Sequence, residues 1–306
     1  MKLYIAIDAI KKYAISIICL MTAALSCSRR EIGENRIPEV IGGVVNLDGF
    51  DFEKSGPVKL DGDWEFYWDQ LLYKKDFLND NNMKKEYIKV PSNWVTGNNY
   101  PMYGKATYRL KVLGNKNRTV LALKTFFISS MWKIYVDDKL IQETGITDET
   151  ENFHLGRYES APEFNLTEPT DSFDIIIQVS NSVLIFSGLV DSIFLGTKRD
   201  LIMERDRVLL IEVFLLGGFI MIALYHFNFF FQRPSERSYL FFGLFSLAVT
   251  VFVSLGAGQS VQFLFNGEFN GPLWLRTWLG SGTLATILML PFIHSVFPDD
   301  YSTKIL

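Results

Sequence analysis

Residues 239–265, YLFFGLFSLAVTVFVSLGAGQSVQFLF, carry no formally charged side chain. A run this long and this apolar is not an ordinary soluble core helix. It reaches across a hydrocarbon layer of about 30 Å, where every backbone N–H and C=O must find its partner inside the chain. That condition selects a helix. Two neighbours behave alike. VLLIEVFLLGGFIMIALYHFNFF, residues 208–230, holds Glu212 as its only formal charge, and LWLRTWLGSGTLATILMLPFIHSVF, residues 273–297, holds Arg276 and His294 near its ends. Three membrane spans are therefore expected, at 208–231, 239–265 and 273–297. Glu212 and Arg276 fall near the same end of their spans, where they can snorkel or pair. Glycines at 217, 218, 243, 256, 258, 280 and 282 offer close helix approach.

Between the first two spans lies a polar island, Gln232–Ser238, with Arg233 and Arg237 against Glu236 alone. Basic loops favour the cytoplasmic side. The N-terminus points the same way. Lys2, Lys11 and Lys12 precede the apolar run YAISIICLMTAAL, residues 13–25, which ends at Ser26-Cys27. That pattern reads as an export signal over residues 1–26. ALSC resembles a bacterial lipobox, with Ala24 where leucine is expected. Lipidation of Cys27, plain cleavage and an uncleaved anchor all remain open. Export puts the chain beyond residue 27 outside the cytoplasm, and the first span then runs inward to the basic island. The chain's 48% hydrophobic content is concentrated after about residue 207, and its net charge of −4 gives no reason to expect nucleic acid.

After a polar linker at 28–41, the pattern changes to short runs of branched and aromatic residues parted by turns. TYRLKV (107–112), TVLALKTFFI (119–128), MWKIYV (131–136) and FDIIIQV (173–179) read as strands. In WKIYV, Trp132, Ile134 and Val136 point one way, Lys133 and Tyr135 the other. Asp137-Asp138 then reads as a turn into KLIQE. DQLLYKKDFL, residues 69–78, is a candidate amphipathic helix. The expected unit is an all-β sandwich over residues 42–197, followed by a juxtamembrane linker at 198–207, the helical transmembrane region, and a truncated cytoplasmic end at 298–306.

The ordered set LDGDWEFYWDQLL (60–72), VPSNW (90–94), GKATYRLKV (104–112), ISSMWKIYVDDKLI (128–141), IIIQVSN (175–181) and SGLVDSIFLG (187–196) resembles the extracytoplasmic domain of bacterial seven-transmembrane receptors with diverse intracellular signalling modules. LYHFNFFFQRPSERSYLFFGLFSL, residues 224–247, resembles the first inner loop of the same family. The resemblance implies a galactose-binding-like jelly roll, similar to the non-catalytic sugar-binding module of family 2 glycoside hydrolases. It also implies seven spans and an intracellular output module. The given sequence reaches three spans and stops before any output module; a fragment of a longer protein is the first expectation, with a truncated gene or a short form that works with a partner as the alternatives. Family members often have a histidine pair soon after the asparagine matching Asn181. Here the segment is SVLIFSG, which points to a different ligand or other contacts. Related domains often carry Asn-Gly where this chain has Asp137-Asp138.

Candidate ligand contacts are Trp94, Tyr103, Arg109 and Asn181. Trp94 and Tyr103 lie in the turn-rich PSNWVTGNNYPMYG, and loops of a sandwich commonly carry function. Aromatic faces stack on sugar rings, and an arginine fork grips carboxylates. Arg109 sits mid-strand and reads first as a cross-strand ion-pair partner. Trp64, Phe66, Trp68 and Trp132 read first as core. No nucleophile elbow, HExxH, P-loop or Cys/His cluster is present in the sequence, so neither enzyme chemistry, a metal nor a cofactor is expected. The expectation is the sensory part of a signalling receptor that binds a carbohydrate or another small polar ligand. Assembly as a homodimer is compatible with it. The alternative is a membrane-tethered carbohydrate-binding or adhesion module.

Overall fold

The computed structural model describes residues 38–78, 84–96, 98–114, 120–125, 128, 131–144, 154–155, 162–164, 171–182, 187–257 and 269–296. The export signal, Cys27 and residues 298–306 lie outside these.

Most of the described strands segregate into two sheets around one core. The larger sheet runs in the order β4 (Glu86–Val90), β3 (Gly62–Trp68), β5 (Gly104–Leu113), β11 (Ser172–Asn181), β7 (Met131–Val136), β8 (Lys139–Thr144). These pairings are antiparallel. β1 (Val44–Asn46) joins β5 in parallel, beside Lys111–Leu113, where β3 no longer runs. The smaller sheet is antiparallel, in the order β10 (Glu163–Phe164), β6 (Leu121–Thr125), β12 (Ile193–Gly196), β2 (Val58–Lys59). Trp64, Phe66, Tyr108, Leu110, Trp132, Ile134, Ile175 and Ile177 of the larger sheet share a buried cluster with Leu121, Leu123, Ile193, Leu195 and Val58 of the smaller. Period-two alternation supplies these residues to one face of each strand, and burying that face drives the layers together. The expected all-β sandwich followed by a helical apolar region is what the chain forms. The remaining β-domain helix, α1 (Phe52–Ser55), is one turn capped by the Asp51 carboxylate.

The hairpin at Asp137-Asp138 forms as expected, with Val136 opposite Lys139 and Asp137 at φ 53°. A short polar side chain tolerates that left-handed backbone better than most. The expected helix at 69–78 does not form. The segment is a strap across the outer face of the larger sheet and closes in a single 3-10 turn at Lys74–Leu78. Its backbone is engaged by strand side chains instead. Leu72 N–H donates to Thr107 Oγ1 at 2.9 Å, Thr107 Oγ1 donates to the Gln70 carbonyl at 2.8 Å, and Gln178 Nε2 donates to the Leu72 carbonyl at 3.0 Å. Those tertiary bonds displace the local helical ones.

Three long helices follow: α2 (Lys198–Gln232), α3 (Arg237–Ala257) and α4 (Gly271–Val296). All three are long and apolar enough to cross a membrane. Residues 198–207, expected as a linker, are the first turns of α2, so the helix is unbroken from the sandwich into the first span. Its 35 residues extend about 50 Å at 1.5 Å each, well beyond a hydrocarbon core of about 30 Å. The middle helix α3 packs against both α2 and α4. Close approach rests on three glycines. A Cβ at Gly243 would meet the Phe227 ring at 2.6 Å, one at Gly256 the Trp278 indole at 2.8 Å, and one at Gly282 the Phe252 ring at 2.8 Å. Gly217, Gly218 and Gly280 have open space instead. β13 (Phe269–Asn270), just before α4, pairs antiparallel with β9 (His154–Leu155).

Candidate functional site

β4 ends at Val90 and β5 begins at Gly104, so residues 91–103 cap one end of the sandwich beside residues 187–189. Backbone bonds stitch the two segments together: Ser92 N–H to the Leu189 carbonyl at 2.7 Å and Trp94 N–H to the Ser187 carbonyl at 3.2 Å. Ser187 Oγ donates to Asn93 Oδ1 at 3.0 Å. Asn98 Nδ2 donates to the Asn93 carbonyl at 2.7 Å and to Ser92 Oγ at 3.2 Å. Asn181, at the end of β11, is buried and donates from Nδ2 to the Met102 carbonyl at 2.8 Å. Its amide thus fixes the residue next to Tyr103.

Trp94 does not project from this loop. It is fully buried, and its Nε1–H donates to the Tyr108 hydroxyl at 2.6 Å. The loop folds its own indole inward because that large apolar surface gains more from the core than from water. Gly188, at φ 88°, passes so close that a Cβ there would meet both the Trp94 ring and the Tyr108 hydroxyl at 2.7 Å. Around the indole, Trp68 makes an edge contact at 5.0 Å and stacks on Tyr100 at 5.0 Å and 26°. The Tyr100 hydroxyl donates to the Glu86 carboxylate. Burial, together with that carboxylate, pushes the Tyr100 hydroxyl up to about 12. Lys84 and Tyr100 in turn hold Glu86 below the usual carboxylate range. Tyr103 alone of the four expected contacts presents a large face to solvent, at 54% exposure. The end is therefore a rigid, hydrogen-bonded rim with one free aromatic face.

Arg109 lies elsewhere, on the outer face of the larger sheet. Its guanidinium donates to Asp174 at 2.9 Å and to Glu65 at 3.3 Å and sits 4.5 Å from the Phe77 ring centroid of the strap. Glu65 is its cross-strand neighbour on β3, and Asp174 is the diagonal neighbour on β11. Burial works against the charge, but the Asp174 hydrogen bond and the two carboxylate charges hold the guanidinium above its ordinary value. Sequence reasoning grouped Arg109 with Trp94, Tyr103 and Asn181. The fold brings the other three to one end of the sandwich and leaves Arg109 bracing the strap.

A further feature is invisible in the local sequence. All five residues of β6 are buried. Leu121 and Leu123 face the sandwich core, while Ala122 clusters with Leu201, Phe194 and Ile202 on the other side. The first turns of α2 therefore cover the outer face of the smaller sheet. Thr197 caps the helix through Asp200 N–H at 3.2 Å, and Lys198 pairs with Glu163 of β10 at 3.3 Å. Lys124 is enclosed at this joint with 2% exposure. Burial brings its ammonium down to about 8, partly offset by the charge of Glu204.

In the apolar region Glu212 is buried, whereas Arg276 is exposed on α4. Near the other end of the helices, the His226 ring lies 4.6 Å from Phe242, and Nδ1 is 2.8 Å from the Ile222 carbonyl. The basic residues Arg233 and Arg237 of the connecting island are exposed. Residues 209–305 match a family model described as 7TM diverse intracellular signalling. The apolar helical segment is similar to that family. The matched segment begins within α2, eleven residues after the helix starts at Lys198.

No curated protein matches the sequence. Among solved structures, a Ruminococcus gnavus β-glucuronidase is 12% identical over 46% of this chain and 28% of that chain, with a TM-score of 0.33. The same organism's β-glucuronidase in complex with D-glucuronic acid is 14% identical over 45% of this chain and 29% of its own, again at 0.33. The chain thus spans under a third of the length of those enzymes.

Proposed function

We propose that the chain is the sensory part of a bacterial signal-transduction receptor of the cytoplasmic membrane. The sandwich lies outside the cytoplasm and binds a carbohydrate or another small polar ligand. The observation that carries this reading is the unbroken helix α2. It is packed against the smaller sheet at one end and continues into the 7TM signalling segment at the other. A domain joined in this way cannot tilt without moving the first span.

The ligand end is the rim formed by residues 91–103 and 187–189. Tyr103 supplies the face on which a sugar ring stacks. Asn181 and Trp94 position it from within, and Arg109 supports the distant face. Binding acts on signalling only through a difference in affinity between two arrangements of the sandwich and the helices. The basic island at 232–238 faces the cytoplasm in this orientation. Binding, not catalysis, is the role assigned to the sandwich.

The test is a graft of residues 28–207 onto a family receptor of known output, joined in α2 with its helical phase kept. Output that follows neutral hexoses or hexuronic acids, and that is lost with Tyr103→Ala while folding and insertion are intact, supports the reading. A correctly inserted graft whose output ignores every sugar tested counts against it.

A further inference from the structure

The sandwich is fastened to the membrane segment at two places, and they differ in strength. One is the joint at α2, where the helix continues covalently from β12 and buries Leu201 against Ala122. The other is the β9–β13 pairing. β9 comes from the excursion between β8 and β10 of the sandwich. β13 comes from the connection between the second and third spans and leads directly into α4. Phe269 stands opposite Leu155 and Asn270 opposite His154. The two fastenings reach α2 and α4, the helices on either side of α3.

This geometry resembles a harness over the outer pair of a three-helix row. If the sandwich tilts with α2 while β9 holds β13, α4 is carried with it. If β9 lets go, α2 moves alone. The α2 joint is a packed and covalent continuation. The β9–β13 contact is two residue pairs long, and each backbone hydrogen bond is worth only about 1 kcal/mol net. The second fastening is therefore the one that opens first. We propose that the β9–β13 pairing is a clasp through which the sandwich controls the third span, engaged in one signalling state and released in the other. The proposal rests on the receptor reading given above and adds a second route into the membrane, distinct from α2.

Antiparallel partners stand about 4.5–5.5 Å apart between Cα atoms, within the range of about 4.4–6.8 Å that a disulfide requires. The test places Leu155→Cys with Phe269→Cys, and separately His154→Cys with Asn270→Cys, in the full chain in membranes. Ile41→Cys with Phe269→Cys is the control, since Ile41 is an exposed residue outside the β9 segment. A membrane-impermeant oxidant should close at least one paired set into an intramolecular disulfide and leave the control open. Failure of both sets to close overturns the clasp. The same pairs are then placed in a chimera in which this chain replaces the sandwich and first three spans of a family receptor of known output. Locking should change basal output by about five-fold or more, the lower end of allosteric coupling, and reductant should reverse it. A disulfide that closes and leaves basal output unchanged also overturns the proposal. The reduced chimera's response to the sugar panel is read separately. A sugar response without a locking effect removes the clasp alone, and a locking effect without a sugar response supports the clasp and counts against the ligand assignment.

Discussion

Lys124→Met at the joint between β6 and α2 should make the protein more stable, although it removes a charge surrounded by charges. Glu204, Arg205, Asp206 and Arg207 of α2 all bear on Lys124. They largely cancel, because Arg205 pairs with Asp206 at 2.6 Å and Arg207 with Glu204 at 2.8 Å. Burial remains the dominant influence, and it lowers the ammonium from 10.5 to about 8. The unfolded chain therefore holds the proton more tightly than the folded one, and stability rises with pH between about 8 and 10.5. Below that window the full penalty is present. A shift of that size corresponds to about 3 kcal/mol at neutral pH, at 1.36 kcal/mol per unit. Methionine keeps most of the side-chain volume without the charge. In detergent, followed by tryptophan fluorescence through chemical unfolding, the variant should gain up to about 3 kcal/mol at pH 7 and only about 1 kcal/mol at pH 10. A variant less stable than the parent at pH 7 would refute the reasoning, because the folded state then favours the ammonium, and so would a gain that stays constant with pH, because folding then leaves the proton affinity of Lys124 unchanged.

Three further outcomes are expected. Gly243→Leu drives new atoms into the Phe227 ring and should loosen the α2–α3 pair by about 1–3 kcal/mol in detergent-unfolding titrations, whereas Gly217→Leu, with open space around it, should be near neutral. Trp94→Phe removes the 2.6 Å bond to Tyr108 at a cost of about 1 kcal/mol, while Trp94→Ala should cost about 3–5 kcal/mol, both read as shifts in the unfolding midpoint. Arg109→Met leaves Glu65 and the buried Asp174 without their shared cation and should destabilise by about 3 kcal/mol, with sugar binding unchanged in the folded fraction.

The elements that were legible are those written in local period. Trp64, Phe66 and Trp68 alternate, and they form the inward stripe that alternation implies, with Trp64 and Phe66 buried and Trp68 half-buried at its end. Trp132, Ile134 and Val136 enter the core together, and the turn at Asp137 closes the hairpin. The three apolar helices were plain from length and charge. What escaped depends on partners remote in sequence. PSNW reads as loop, yet Trp94 is buried because Tyr108, fourteen positions on, accepts its indole N–H. The strap at 69–78 has helical spacing, but Thr107 and Gln178 take its backbone groups. Lys124 looks like any outward lysine on a strand. Only the arrival of Leu201 from α2 encloses that face, and nothing near residue 124 announces it. Arg109 shows the reverse case: a mid-strand arginine read first as an ion-pair partner, which the flanking β3 and β11 carboxylates make it.

An unbroken α2 also turns chain length into angle. Each residue added to a helix rotates everything beyond it by about 100°. One residue inserted near Arg207 would swing the sandwich rim by more than a quarter turn about the first span, whereas seven would return it to nearly the same bearing, about 10 Å higher. The sandwich and the spans are thus geared like two wheels on one shaft, and related chains that keep the same gearing should differ in this stretch by near-whole numbers of turns.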